Sequence, residues 1–152
     1  MHLFSASVTL RCSALSLRQF LGTPANLPRI SHPDMRLEIL SAPPVVMVSQ
    51  RIEFRVTSMG FKQRAVHIYT TVSDSEIAEE QVEGPLRLWR HRQLILNVQP
   101  LETQLTDEVE FEPPGGMLGH VFNEQKIRDS LTTGFAARYD ALQELVSAGE
   151  LS

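Results

Sequence analysis

The sequence predicts a single α+β domain over residues 1–152, in which an antiparallel sheet of about seven strands is covered by one long C-terminal helix. Three observations favour this fold class. Apolar and polar residues alternate with period two in successive segments between Phe4 and Glu112, as they do in half-buried strands. Short turns join most of these segments, which indicates an antiparallel meander rather than parallel βαβ units. From Met117 onward the apolar residues recur at helical spacing instead.

The strands are predicted from alternation and from their content of β-branched and aromatic residues. They span residues 4–10, 35–40, 51–58, 65–72, 76–83, 86–98 and 103–112. Turns are expected at Gly60 and at residues 73–75, and the Gly84-Pro85 pair predicts a bulge or a sharp bend. The run of two prolines and two glycines at residues 113–116 is expected to end the sheet.

Two helices are predicted. Ser13 is placed to cap a short helix that ends at Leu21, because Gly22 follows it. Residues 25–33 hold two prolines and are interpreted as a connecting segment. The second helix is expected to run without a break from Met117 to a stop at Gly149, a length of roughly 40 Å at the rise of an α-helix. A helix of that length needs a sheet to lie against.

Composition is typical of a soluble globular protein, with 42% hydrophobic and 21% charged residues and no apolar run long enough to span a membrane. The net charge of −4 argues against a nucleic-acid partner, which would require a basic face. Cys12 is the only cysteine, so the chain forms no internal disulfide. The N-terminus lacks the basic start and apolar core of a leader peptide, and we expect a cytoplasmic protein.

The hairpin that turns near Pro100 carries the most information about the two faces of the sheet. Glu108, Glu110 and Glu112 lie on one face of its second strand, and such a face belongs in water. Pairing residues symmetrically about Pro100 then keeps like faces together. The outer pairs are Arg92–Glu108 and Arg90–Glu110. The inner pairs are Trp89–Phe111, His91–Val109 and Gln93–Asp107.

The inner face is therefore predicted to be mostly apolar, with a polar cluster of His91, Gln93 and Asp107 to which the preceding strand adds Glu79 and Gln81. A void with a few convergent polar groups is the usual form of a small-molecule site. A satisfied network in the core is the alternative, and for His91 a structural role and a ligand contact weigh equally. The candidate cavity residues are Phe54, Glu79, Gln81, Trp89, His91, Gln93, Asp107, Val109, Phe111 and Phe135.

Four short motifs between about residues 4 and 146 carry a family resemblance. They are Glu80-Gln81-Val82-Glu83-Gly84-Pro85 with Trp89, His91 and Gln93; Thr106-Asp107 with Val109, Phe111, Pro114, Gly116, Leu118 and Gly119; Phe135, Arg138 and Leu142; and Asn26-Leu27 with Ile30-Ser31. Their order and spacing resemble the ligand-binding SRPBCC proteins, a branch of the START-like superfamily. The resemblance implies a helix-grip fold, in which a curved sheet wraps around the long helix and encloses a hydrophobic cavity, as in polyketide cyclases, lipid-transfer START domains and the birch-pollen allergen group. The chain departs from the family at Gln93, where the family has a second histidine, and at Gln50, where it usually has a glycine.

Three functions remain open from the sequence. The first is binding of a hydrophobic or amphipathic small molecule, a lipid, isoprenoid or polyketide-like compound, between the sheet and the C-terminal helix. The second is a cyclase or dehydratase acting in the same cavity, with His91 and either Glu79 or Asp107 as acid and base. The third is a partner-binding protein that uses the sheet edge or the short helix near Leu17. The sequence also leaves a homodimer open.

No cofactor or metal is expected. A metal site would draw on His67, Glu79, His91 and Asp107, but their positions lack the close HxH or HExxH spacing of metal-binding motifs. The glycines between Gly115 and Gly119 lack the lysine and hydroxyl residue of a phosphate loop, so they are expected to serve chain reversal.

Overall fold

The computed structural model describes residues 1–58 and 60–152. Within them, seven strands form one curved antiparallel sheet, which confirms the predicted fold class. The strands are β1 (His2–Leu10), β2 (Glu38–Ser41), β3 (Arg51–Ser58), β4 (Phe61–Val72), β5 (Glu76–Glu83), β6 (Leu88–Gln99) and β7 (Glu102–Glu112). Their spatial order is β1-β7-β6-β5-β4-β3-β2, so β2 to β7 form a meander and β1 pairs with β7.

The short helix after β1 is confirmed as α1 (Ala14–Leu21). The Ser13 hydroxyl accepts a hydrogen bond from the Ser16 backbone N–H at 3.1 Å, as expected of an N-cap residue. The connecting segment predicted over residues 25–33 is more ordered than expected, because 3₁₀ helices occupy Pro24–Ile30 and Pro33–Met35. Prolines open both helices, since the fixed φ of proline suits a helical first turn and its missing N–H would have no partner there.

The predicted uninterrupted C-terminal helix is wrong at one point. A short helix, α2 (Leu118–Val121), ends before the long helix α3 (Glu124–Ser147) begins. Between them, Asn123 has an extended backbone, and its side-chain oxygen accepts a hydrogen bond from the Lys126 N–H at 2.9 Å. Asparagine is a strong N-cap residue, so it starts a new helix where periodicity alone predicts continuity. The predicted stop is confirmed at Gly149, which has a φ of +78°.

The hairpin register is confirmed at all five predicted pairs of β6 and β7. On the outer face, Arg92 lies 3.2 Å from Glu108 and 3.0 Å from Glu76, and Arg90 lies between Glu80 and Glu110 in the same way. Some strand ends differ from the prediction. The strand β2 is shorter than residues 35–40, β4 begins four residues before position 65, and β6 begins at Leu88 because the Gly84-Pro85 bend continues past Leu86.

Among the residues that the structure describes, two groups of buried side chains form the core. One packs α1 and the C-terminal part of α3 against the sheet, and it includes Leu10, Leu17, Leu21, Ile95, Leu105 and Leu142. The other packs the first half of α3 against β7, and it consists of Val109, Phe111, Ile127, Leu131 and Phe135. None of the helices in the described part of the chain is both long enough and apolar enough to cross a membrane.

Candidate functional site

A pocket of about 300 Å³ is bounded by the inner face of the sheet and by α3. Most of its wall is apolar, and the main apolar residues are Ile39, Ile52, Phe54, Trp89, Leu131 and Phe135. Polar side chains enter the wall from both sides. They include His67, Glu79, Gln81, His91 and Gln93 from the sheet and Arg138 from α3.

Seven of the ten residues proposed from the sequence line this pocket, and three do not. Those in the wall are Phe54, Glu79, Gln81, Trp89, His91, Gln93 and Phe135. Asp107, Val109 and Phe111 lie on the same face of β7 but are completely buried. Val109 and Phe111 pack against Ile127 and Leu131 of α3, which covers this strand and separates it from the open space. Asp107 therefore acts on the pocket only through its neighbours.

His91 is held between two carboxylates. Its Nε2 atom lies 2.7 Å from Asp107 Oδ1, and its Nδ1 atom lies 3.4 Å from Glu79 Oε1. Burial alone would lower the pKa of His91, but the hydrogen bond to Asp107 and the contact with Glu79 outweigh it, so the pKa is raised. The geometry therefore favours an imidazolium that points both N–H groups at carboxylates.

Both carboxylates are stabilised in the ionised form. Burial alone would raise the pKa of Glu79, but His67 and His91 hold it well below its usual range. Burial would likewise raise the pKa of Asp107, but the Arg138 charge, His91 and the Tyr139 hydroxyl hold it down. Tyr139 donates to Asp107 Oδ2 at 2.8 Å.

Arg138 completes the cluster from α3. Its Nη2 atom donates to Gln93 Oε1 at 2.5 Å and lies 3.5 Å from Asp107 Oδ1. The charges of Glu79 and Asp107 are thus matched by those of His91 and Arg138. We call this set of residues the polar network, and its members are Glu79, His91, Gln93, Asp107, Arg138 and Tyr139. Because its charges balance, it can remain buried beside an apolar pocket.

His67 and Gln81 lie at the border of the network and play different roles. His67 Nδ1 is 3.5 Å from Glu79 Oε2 without forming a hydrogen bond, and its ring meets the Phe54 ring edge-on at 4.7 Å between centroids. Gln81 instead donates to the Leu86 carbonyl at 2.6 Å. Gln81 therefore braces the bend between β5 and β6, while His67 faces the pocket beside Glu79.

Three residues of the pocket wall carry a buried nitrogen for which the described residues supply no hydrogen-bond partner. The atoms are His67 Nδ1, Trp89 Nε1 and Arg138 Nε. A buried donor without an acceptor costs about 1–3 kcal/mol. An oxygen atom that contacts any of these nitrogens would remove this cost.

Sequence patterns did not single out Gly134 or Tyr139, and Arg138 appeared only as one position of the family resemblance. Gly134 is in the middle of α3 and lines the pocket, and a Cβ atom added there would meet no atom within 4 Å. A glycine inside a long helix costs helical stability, and this is the signal by which Gly134 could have been found. Arg138 and Tyr139 carried no such signal, because the rotation of α3 about its axis decides what they reach.

The His and carboxylate side chains near the pocket do not form a metal site. Across residues 1–58 and 60–152, no group of three or more His, Cys, Asp or Glu side chains has an arrangement suited to a metal ion. In the polar network each carboxylate already faces a cation of the protein, so these residues supply no set of free ligands.

No protein-family model matches the chain, and no curated protein is significantly similar to it in sequence. Solved structures are similar in fold. The aromatase/cyclase Zhui from Streptomyces sp. R1128 has a TM-score of 0.74 at 17% identity, over 96% of this chain and 93% of that one. A START superfamily protein from Mycobacterium smegmatis has a TM-score of 0.72 at 15% identity, over 97% and 99%. The protein TTHA0849 from Thermus thermophilus has a TM-score of 0.71 at 14% identity, also over 97% and 99%. At these identities the similarity shows a shared START-like fold.

Proposed function

We propose that this START-like chain binds a hydrophobic or amphipathic small molecule, of the lipid, isoprenoid or polyketide-like kind, in the pocket between the sheet and α3. The observation that carries the proposal is the pocket of about 300 Å³ with apolar walls and a charge-balanced polar network along one side. Pockets of about 300–1,000 Å³ with a few placed polar groups are typical of small-molecule sites. The shared fold with a START superfamily protein and an aromatase/cyclase supports the same function.

Native mass spectrometry of the gently purified protein tests this proposal, because a bound ligand adds its mass to the chain. Gly134→Leu places a side chain in the pocket without breaking the helix, and we expect this variant to lose the ligand. Ala136→Leu is the matched control, since Ala136 is exposed on the same helix. The control should retain the ligand. Equal ligand content in the two variants, or no ligand in the wild type and no binding of added apolar compounds, would contradict the proposal.

A second candidate function is that of a cyclase or dehydratase acting on the bound molecule. The contact of His67 with Glu79 in the pocket wall favours it, because a histidine beside a carboxylate can move protons. His91 suits this role less well, since both of its ring nitrogens already face carboxylates. An enzyme predicts that the wild type and Glu79→Gln yield different ligands, because only the wild type completes the reaction. The product of a dehydration is lighter than its substrate by one water, and the product of a cyclisation has the same mass as its substrate but a different chromatographic retention. A binding protein predicts the same ligand from both.

A further inference from the structure

The unpaired donors of the pocket wall restrict the chemistry of the ligand. His67 is more than nine-tenths buried, and its Nδ1 atom has no hydrogen-bond partner among the described residues. The neighbouring Trp89 ring lies 6.3 Å from it between centroids, and the indole nitrogen of Trp89 also lacks a partner. Indole can only donate a hydrogen bond, so the group that satisfies it must be an acceptor.

The same wall disfavours an anionic ligand. The carboxylate of Glu79 lies 3.5 Å from His67 Nδ1, so a negative group placed against His67 would also meet Glu79. The two cations nearby are already neutralised, His91 by Glu79 and Asp107, and Arg138 by Asp107 at 3.5 Å. A neutral oxygen can accept from the free N–H groups without adding a charge to this balance.

We propose that the pocket selects a ligand that carries a neutral oxygen acceptor, such as a ketone or quinone carbonyl, which hydrogen-bonds to His67 or Trp89. This inference rests on the proposed binding function and narrows its ligand to oxygenated, uncharged apolar compounds. It assigns Trp89 and His67 as the residues that determine specificity.

Three compounds of nearly the same shape test the inference by isothermal titration calorimetry. They are 2-acetylnaphthalene, its hydrocarbon isostere 2-isopropenylnaphthalene, and 2-naphthoate. We expect the ketone to bind about tenfold more tightly than the hydrocarbon, the effect of one good hydrogen bond, and more tightly than the carboxylate. Equal or tighter binding of the hydrocarbon, or tightest binding of the carboxylate, overturns the inference but leaves the proposed function intact. If none of the three binds, the inference fails, while native mass spectrometry decides the proposed function.

Single substitutions show which residue donates the hydrogen bond to the ketone. Trp89→Phe and His67→Phe each keep a ring but remove its N–H, and we expect the preference for the ketone to fall by about threefold or more in at least one of them. Phe54→Leu is the control, because it changes an apolar wall residue and no donor. This variant should weaken the binding of the ketone and of the hydrocarbon by the same factor. A preference that survives in both donor variants, or that falls in Phe54→Leu instead, overturns the assignment.

Discussion

His91 and its neighbour Arg92 show how alternation along β6 places one basic residue inside the protein and the next on its surface. His91 is 7% exposed and contacts two carboxylates, whereas Arg92, the next residue, has a side chain that is 47% exposed. Both residues form ion pairs, but only those of His91 are screened from water. The pairs of Arg92 with Glu76 and Glu108 lie on the outer face of the sheet, where they interact weakly.

We therefore expect His91→Ala to be much more destabilising than Arg92→Ala. Removing His91 leaves the buried Asp107 and the partly buried Glu79 with one cation fewer, and breaking a buried pair in this way costs about 3–5 kcal/mol. Loss of the exposed Arg92 pairs should cost about 0.2–1 kcal/mol. Urea unfolding of the two variants measures both values. A larger loss for Arg92→Ala would show that the two faces of β6 have been assigned the wrong way round.

The side chains that alternation places on the inner face could be predicted from the sequence, and those that α3 contributes could not. The three glutamates of β7 fix its outer face, and the pairing about Pro100 then brings His91 and Asp107 together. Arg138 and Tyr139 reach Asp107 only because α3 crosses the sheet at a particular angle and rotation. A strand has only two faces, so alternation decides which residues point inward. A helix can turn any side towards the sheet, and the apolar stripe of α3 is too irregular to show which side does so.

At the scale of the elements, the junction of α2 and α3 lies beside the pocket. Phe122, in this junction, lines the pocket and contacts the exposed Phe61 ring of β4 edge-on at 5.5 Å between centroids. Asn123 therefore does more than begin a helix. By starting α3 at Glu124, it fixes where Phe122 leaves the helical path and turns towards the pocket.

Asn123→Ala should destabilise the protein by about 1 kcal/mol, because the Lys126 N–H loses the side-chain oxygen that caps it. Asn123→Ser is the matched control, since serine can also accept this hydrogen bond, and it should remain within a few tenths of a kcal/mol of the wild type. Thermal unfolding followed by circular dichroism measures the difference. Equal stability of the alanine and serine variants would mean that the cap contributes nothing.

The sequence predicted the beginning and the end of most elements where glycine, proline or serine marks them, as at Ser13 and Gly149. It failed at Asn123, because the apolar spacing on either side continues as though one helix ran through. It failed also at the segment between α1 and β2, where prolines begin 3₁₀ helices instead of preventing them. Both errors arise where a capping or turn-forming residue outweighs the periodicity around it.

At the scale of the whole molecule, the polar network makes stability depend on pH in two directions. The pKa values of Glu79 and Asp107 are lowered on folding, so their contribution is present above the unfolded values near about 4 and is lost as the pH falls. The pKa of His91 is raised, so its contribution is complete below about 6.5 and is lost as the pH rises through the folded value.

We therefore expect the contribution of the network to stability to be greatest between about pH 4.5 and 6.5. Urea unfolding from pH 3 to 9 measures the profile. A His91→Gln variant, which needs lower urea concentrations to unfold, should lose the decline above pH 6.5. Its decline in acid should be smaller than that of the wild type, because His91 helps to lower the pKa values of both carboxylates. A wild-type stability that rises steadily from pH 5 to 8 would contradict an imidazolium between the two carboxylates.

The pairing of β1 with β7 also determines when this chain can fold. His2 lies opposite Phe111, so the first strand meets its partner only after more than a hundred intervening residues have been made. Until β7 has been made, β1 has no strand to pair with. The contacts that complete the sheet therefore join residues far apart in sequence. Such long-range pairings are slow to form, so on the ribosome this protein should complete its fold late, after the last strand has emerged.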